Sequence, residues 1–260
     1  MVDLSRKNPF SLLLLIAAGL IFCFPNTLLA TQTGLQIEIE KQRQRLSASD
    51  PEERREALMR LGSMRRAEAS RAATAGLSDA SPMVRAVAAK AILSMAPDES
   101  VSALTPLISD KDEFVRREAA YALGLTRSHN ATQPLTNLLN DKVDGVRAAA
   151  AVGLGDIRDE NAVVALSNIL SQTSGKREKN VFVLRAAARS LGQIKSKAGV
   201  PALIAALSDE KLVEDIRREA ASALGAIGDP SAVPALRAAS SSPDPYLAQA
   251  AFKSLRKINP

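Results

Sequence analysis

Histidine, cysteine and tryptophan are almost missing from this sequence. Tryptophan is absent, His129 and Cys23 are the only histidine and cysteine, and aromatic residues make up 3% of 260 positions. A single cysteine permits no intrachain disulfide, and one histidine with one cysteine leaves nothing from which the usual zinc sites are built. No glycine-rich phosphate loop and no nucleophile elbow occurs. The reading is therefore of a protein that is not an enzyme, with no catalytic residue, no metal ligand and no cofactor to name. What is plentiful is alanine and leucine, within a hydrophobic content of 46%. That mixture suits closely packed helices better than a sheet, which favours aromatic and β-branched side chains. The formal net charge is +6, mildly basic for this length and compatible with an acidic partner.

The only long apolar run lies at the start. Arg6 and Lys7 precede Phe10 to Phe24, followed by Pro25 and a stretch ending Leu28-Leu29-Ala30 before the polar Thr31. A basic segment, an apolar segment and a small residue before a polar one form a signal peptide, with cleavage expected after Ala30. Two alternatives stay open. Phe10–Ala30 is long enough for an uncleaved membrane anchor, although Pro25 and Asn26 oppose it. Leu20-Ile21-Phe22-Cys23 has the outline of a lipoprotein box, although bulky Phe22 stands where a small residue belongs. Each reading exports the rest of the chain to a periplasmic or secreted location. Losing the leader with Asp3, Arg6 and Lys7 removes two cations and one anion, which leaves +5.

Beyond the leader the chain repeats itself. EFVRREAAYALG (Glu113–Gly124) returns as EDIRREAASALG (Glu214–Gly225), nine of twelve letters unchanged. The leucine-type position of this pattern falls at Leu61, Ile92, Leu123, Leu154, Leu191, Leu224 and Leu255, in steps of 31, 31, 31, 37, 33 and 31. Four residues earlier stands an alanine every time: Ala57, Ala88, Ala119, Ala150, Ala187, Ala220 and Ala251. An obligatory small residue predicts that another helix crosses there at close range. Between these segments lie shorter ones such as GVPALIAAL from Gly199 and AVPALRAAS from Ala232, with Pro201 and Pro234 suited to a first helical turn. Gly155-Asp156 and Gly228-Asp229-Pro230 are expected to form tight turns between the two halves. A hairpin of about thirty-one residues cannot bury its apolar face alone; stacked on its neighbours it can, giving an all-α solenoid of about seven hairpins.

The units resemble HEAT-type repeats, in particular the short variety of phycobilisome-lyase-like HEAT proteins, whose repeat runs roughly V-R-x-A-A-x-A-L-G, a turn, and A-V-P-A-L. The resemblance covers Asp50 to the C-terminus. It implies a superhelix whose second helices line the concave surface, and a family of scaffolds, adaptors and a few enzymes. The His-Glu pairs of the deoxyhypusine hydroxylases with this repeat are absent. With the leader read above, the chain divides into residues 1–30 as leader or anchor, 31–49 as linker or N-terminal capping helix, and 50–260 as solenoid. An insertion at 171–180, SQTSGKREKN, accounts for the step of 37.

Two rows of charge remain to be read. Arg54, Arg85, Arg116, Arg147 and Arg217 share one position of the pattern, and Asp79, Asp110 and Asp141 precede three of them by six residues. The carboxylate then lies in the turn before the helix, held by the arginine of its own unit or of a neighbour, as a structural ladder. Positions one and five beyond the ladder arginine share a helix face. They read Arg55, Ala86, Arg117, Ala148, Arg185, Arg218, Gln249 and Met59, Lys90, Tyr121, Val152, Arg189, Ser222, Lys253; seven of the fourteen are cationic and none acidic. Arg55, Arg117, Tyr121, Arg185, Arg189 and Arg218 are the expected partner-binding residues. The function expected is an exported monomeric scaffold or adaptor. Its mildly basic concave face holds an acidic protein segment, with no nucleic acid and no membrane contact beyond the leader. The alternative is a lyase-like enzyme subunit holding a ligand in the groove. If the faces are assigned correctly, Ala119→Leu lowers stability by about 1–3 kcal/mol through overpacking. Arg117→Glu stays within about 0.5 kcal/mol of wild type, and equal damage from both in urea unfolding refutes the assignment.

Overall fold

The computed structural model describes residues 33–171 and 180–258. The leader, the cleavage position after Ala30 and most of the insertion lie outside the described residues. Those described contain fourteen α-helices and no strand. They alternate in two rows. The first helices are α1 (33–45), α3 (Ala67–Ala73), α5 (Pro97–Leu104), α7 (Thr132–Leu138), α9 (Val163–Ser171), α11 (Val200–Ser208) and α13 (Val233–Ala239). The second helices are α2 (Pro51–Ser63), α4 (Pro82–Ala91), α6 (Glu113–Thr126), α8 (Asp144–Ile157), α10 (Val181–Ile194), α12 (Glu214–Ile227) and α14 (Pro245–Ile258). The repeated segment of the sequence is the second helix in every case. Helix α1 packs Ile39 on the core, with Leu46 just beyond its end, buries Gln42 and pairs Arg45 with Glu53 and Glu56 on α2. The segment expected to be a linker or cap is thus the first helix of the first hairpin.

Short polar side chains start the helices. Asp50, Asp112 and Asn180 accept backbone N–H bonds at the starts of α2, α6 and α10. Ser128, Asp159, Ser196 and Asp229 do the same for the 3-10 turns that open α7, α9, α11 and α13. Five of the second helices are followed by a left-handed residue: Arg65, Arg127, Arg158, Lys195 and Gly228 have φ between 50° and 77°. Four of these are cations, which are strained in that conformation but favoured beside the carbonyl end of the helix dipole. Here the sequence-based expectation needs correcting. Gly155-Asp156 is no turn; both residues lie inside α8, which runs on to Ile157 before Arg158 turns the chain.

Gly155 is needed for packing instead. The position after the repeat leucine carries Gly62, Gly124, Gly155, Gly192 and Gly225, and each meets a small residue of the next second helix: Ala91, Gly153, Ser190, Ala223 and Ser254. A methyl group added at Gly124 would lie 2.4 Å from the Cα of Gly153, well inside van der Waals contact. The seven repeat alanines are fully buried. At Ala88, however, the close neighbour is Gly76 of the hairpin's own first half, and the crossing between units runs through the glycines. The second helices pack on one another more closely than the first helices do. The stack therefore curves with the second helices on its inner side.

Glycine inside a helix ordinarily costs about 0.5–1 kcal/mol relative to alanine. At Gly124 packing reverses that sign: Gly124→Ala is expected to lower stability by about 1–3 kcal/mol in urea unfolding. Gly228 has φ 77° and nothing within 4 Å, so Gly228→Ala costs about 1 kcal/mol, from backbone strain alone. A neutral or stabilising Gly124→Ala would contradict the close crossing.

Candidate functional site

The ladder arginines bridge consecutive hairpins. Arg54 forks onto Asp79 (2.7 and 2.8 Å), Arg85 onto Asp110 (2.7 and 2.9 Å) and Arg116 onto Asp141 (2.7 and 3.1 Å), each aspartate lying 25 residues ahead in the next unit. The third guanidinium nitrogen donates to carbonyls of the arginine's own turn, Asp79 and Ala80 for Arg85, Asp110 and Lys111 for Arg116. The aspartate six residues before an arginine thus gives it a backbone oxygen, while its carboxylate serves the preceding unit. Bonding to Arg54 holds the Asp79 carboxyl below its ordinary range. Burial by itself would raise Asp110 and Asp141, but the guanidinium and a backbone N–H outweigh it and both are lowered. Where the insertion enters, Arg147 pairs with Asp144 of its own helix, and Asn180 bonds to that same carboxylate.

On the inner face five of the seven cations are already paired. Lys90 reaches Glu118 (2.6 Å), Arg185 reaches Asp215 (3.4 Å), Arg189 forks onto Glu219 (3.0 Å twice) and Arg218 contacts Asp215 (3.0 Å) and Asp244 (3.2 Å); Arg55 meets Glu52 of its own helix (2.5 Å). The usual partner is a carboxylate on the next second helix. The exception is the step from α6 to α8. There α8 offers Gly145, Ala148 and Val152 instead of an acid, and among the described residues Arg117 has only its neighbour Glu118, at 3.7 Å, and the ring of Phe114, at 5.0 Å.

Those small residues leave a groove. About 590 Å³ lies between α6 and α10, floored by Gly145, Ala148 and Val152 and banked by Arg117 and Tyr121 on one side and Phe182, Arg185 and Arg189 on the other. Tyr121 is 37% and Phe182 71% exposed. The buried Nε of Arg185 has no hydrogen-bond partner among the described residues. Four of the six residues expected to bind a partner therefore meet in one place, while Arg55 and Arg218 lie elsewhere on the face. No cluster of potential metal ligands occurs among the described residues.

A family model described as HEAT repeats matches residues 39–124, 70–155, 107–182 and 176–256. The chain belongs to the HEAT-repeat family. Solved HEAT-like structures with the same fold include the complex of CpcE and CpcF of phycocyanin lyase from Nostoc sp. PCC7120, 24% identical, TM-score 0.52, covering 85% of this chain and 88% of that one. The YibA protein of E. coli is 21% identical with TM-score 0.59, over 85% and 82%. An engineered protein is 24% identical with TM-score 0.53, over 85% and 68%. No curated protein matches the chain.

One row of this HEAT face escaped the sequence reading. Three residues before the first cationic row stand Glu52, Met83, Phe114, Gly145, Phe182, Asp215 and Tyr246. Helical spacing puts them on the same face, and the rings at Phe114, Phe182 and Tyr246 were the available signal. A second cation–ring contact joins two units, with Arg218 of α12 5.5 Å from the Tyr246 ring of α14.

The lowered aspartates make an acid-dependence prediction. A carboxyl depressed in the folded state stabilises fully above its unfolded value, about 3.9, and loses that contribution as pH falls through the folded value. Unfolding by acid is therefore expected below about pH 4. Asp110→Asn, which leaves Arg85 unpaired, should cost about 2 kcal/mol at pH 7 and flatten the loss of stability between pH 5 and pH 2 (roughly) in urea titrations. An unchanged slope would separate the ladder from acid stability.

Proposed function

We propose that the protein is a non-enzymatic scaffold or adaptor that holds a segment of another protein on the inner face of its solenoid. The anchor point is the groove between α6 and α10. The observation that carries this reading is where the scarce aromatics lie. Five occur beyond residue 30, and four of them, Phe114, Tyr121, Phe182 and Tyr246, stand in the rows of this one face. Tyr121, Phe182 and Tyr246 are exposed, the last at 67%. Exposed rings beside arginines are the residues that most often dominate binding at protein interfaces.

The ion pairs refine the partner. Because most cations on the face already have a carboxylate, a long acidic stretch gains little from it. The groove favours an apolar side chain seated on Gly145, Ala148 and Val152, with an acidic residue beside it toward Arg117. The leader supports delivery to the cell envelope or beyond, so the partner is an exported protein.

The test is capture from envelope extract by the wild-type chain and by the double variant Tyr121→Ala, Phe182→Ala. Loss of a wild-type partner by about tenfold or more in affinity is expected, since each hot-spot ring contributes above about 1 kcal/mol. Equal retention moves the site off this groove, and no partner for the wild type removes the scaffold reading. Cell fractionation with N-terminal sequencing checks export: a mature chain starting at Thr31 is expected, and a cytoplasmic chain retaining the leader refutes it.

A further inference from the structure

Arg217 occupies the ladder position of α12, and 25 residues ahead, where each complete rung has its aspartate, stands Ser242. In the complete rungs that aspartate has two tasks. One oxygen accepts the backbone N–H two residues on, from Ser81, Asp112 and Val143 at 2.8–2.9 Å. Both oxygens also receive the guanidinium of the preceding unit. Ser242 keeps the first task, its hydroxyl accepting the N–H of Asp244 at 3.2 Å, and has no group for the second. The Arg217 side chain makes one hydrogen bond among the described residues, from Nε to the Leu207 carbonyl at 3.0 Å, and no ion pair. A cavity of about 490 Å³ opens at this point, with Arg217, Ser242, Ala235 and Ala239 in its lining.

We propose that Arg217 and this cavity form a receptor for a carboxylate from outside the chain, which completes the rung in trans. The fork geometry is the one the molecule already uses at Arg54, Arg85 and Arg116, where a planar guanidinium takes both oxygens of one carboxylate. Three acidic residues border the cavity without filling the rung. Asp244 caps α14 through the N–H groups of Tyr246 and Leu247 and contacts Arg218. Glu214 occupies the place that Glu113 has beside Arg116, in a rung that holds Asp141 all the same. Glu210 is left at the rim, and it favours a ligand whose carboxylate has a cation next to it. The chain's own ladder turns have that pattern, as in Asp110-Lys111. The ligand class is thus a carboxylate beside a basic group, on a partner protein's turn or on a free small acid. This site shares no lining residue with the aromatic groove and does not depend on it.

The test follows the arginine side-chain Nε–Hε signals of the wild-type chain by nitrogen–proton NMR, at constant ionic strength. The probes are the capped peptide Ser-Asp-Lys, its Ser-Asn-Lys analogue and succinate. A saturable shift of the Arg217 signal with Ser-Asp-Lys or succinate, and none with Ser-Asn-Lys, is expected. Arg217→Gln and Ser242→Asp should both abolish saturation, and Ser242→Asp should raise Tm because it closes the rung within the chain. Saturation at lower concentration by the peptide assigns a protein side chain as the source; saturation first by succinate assigns a free acid. No saturation in the millimolar range (about 100 mM at most), or a response that persists in Ser242→Asp, overturns the proposal. So does a Ser242→Asp variant that folds with no gain in Tm.

Discussion

How closely one second helix can lie on the next governs everything built above it. Side chains keep most helix pairs 8–10 Å apart (roughly). Here glycine on one helix meets glycine, alanine or serine on the next, and the backbones touch at Gly124 and Gly153. That contact tightens the inner row and curves the stack. It also brings residues thirty positions apart within reach, so that Arg189 meets Glu219 and Arg185 meets Asp215. Between α4 and α6 the glycine is replaced by Leu93, and α4 stops at Ala91.

The arginine ladder acts at the turn end of the same helices. Each guanidinium ties two turns together: its own through carbonyls, and the next through a forked carboxylate. The next turn is then fixed by that carboxylate's bond to a backbone N–H. A hairpin cannot rotate about the glycine crossing without breaking the fork, so crossing and ladder together set the register from one unit to the next. Where the register is disturbed, by the insertion or near the last unit, the ladder changes form. Arg147 turns to its own helix and Arg217 to a carbonyl.

Function on this frame is a matter of exceptions to the repeat. A strictly repeated inner face would be cancelled throughout, each cation facing the acid one unit on. The face is broken at α8, where Gly145, Ala148 and Val152 supply neither charge nor bulk, and the nearest exposed rings gather around that break. The turn side is broken at Ser242, where half of an aspartate's work is kept and half is left undone. Both breaks are departures from a pattern whose other members show what the position ordinarily does.

Much of this was written in the chain. The leucine steps, the buried alanines and the alternation of long and short segments determined seven hairpins of helices, because a helix buries residues at its own 3.6-residue period whatever lies opposite. The arginines were recognisable as a ladder, and Arg117, Tyr121, Arg185 and Arg189 as one face. Only the tertiary structure decided that an aspartate serves the arginine 25 residues behind it, not the one six ahead. It also decided that Gly155 packs inside a helix instead of turning the chain, and that the cationic stripe is largely neutralised. Phe182 gained its place in the groove the same way. Local sequence specifies which side chains share a helix face; which face meets which depends on how the helices are spaced and rotated against one another, and those are properties of the stack.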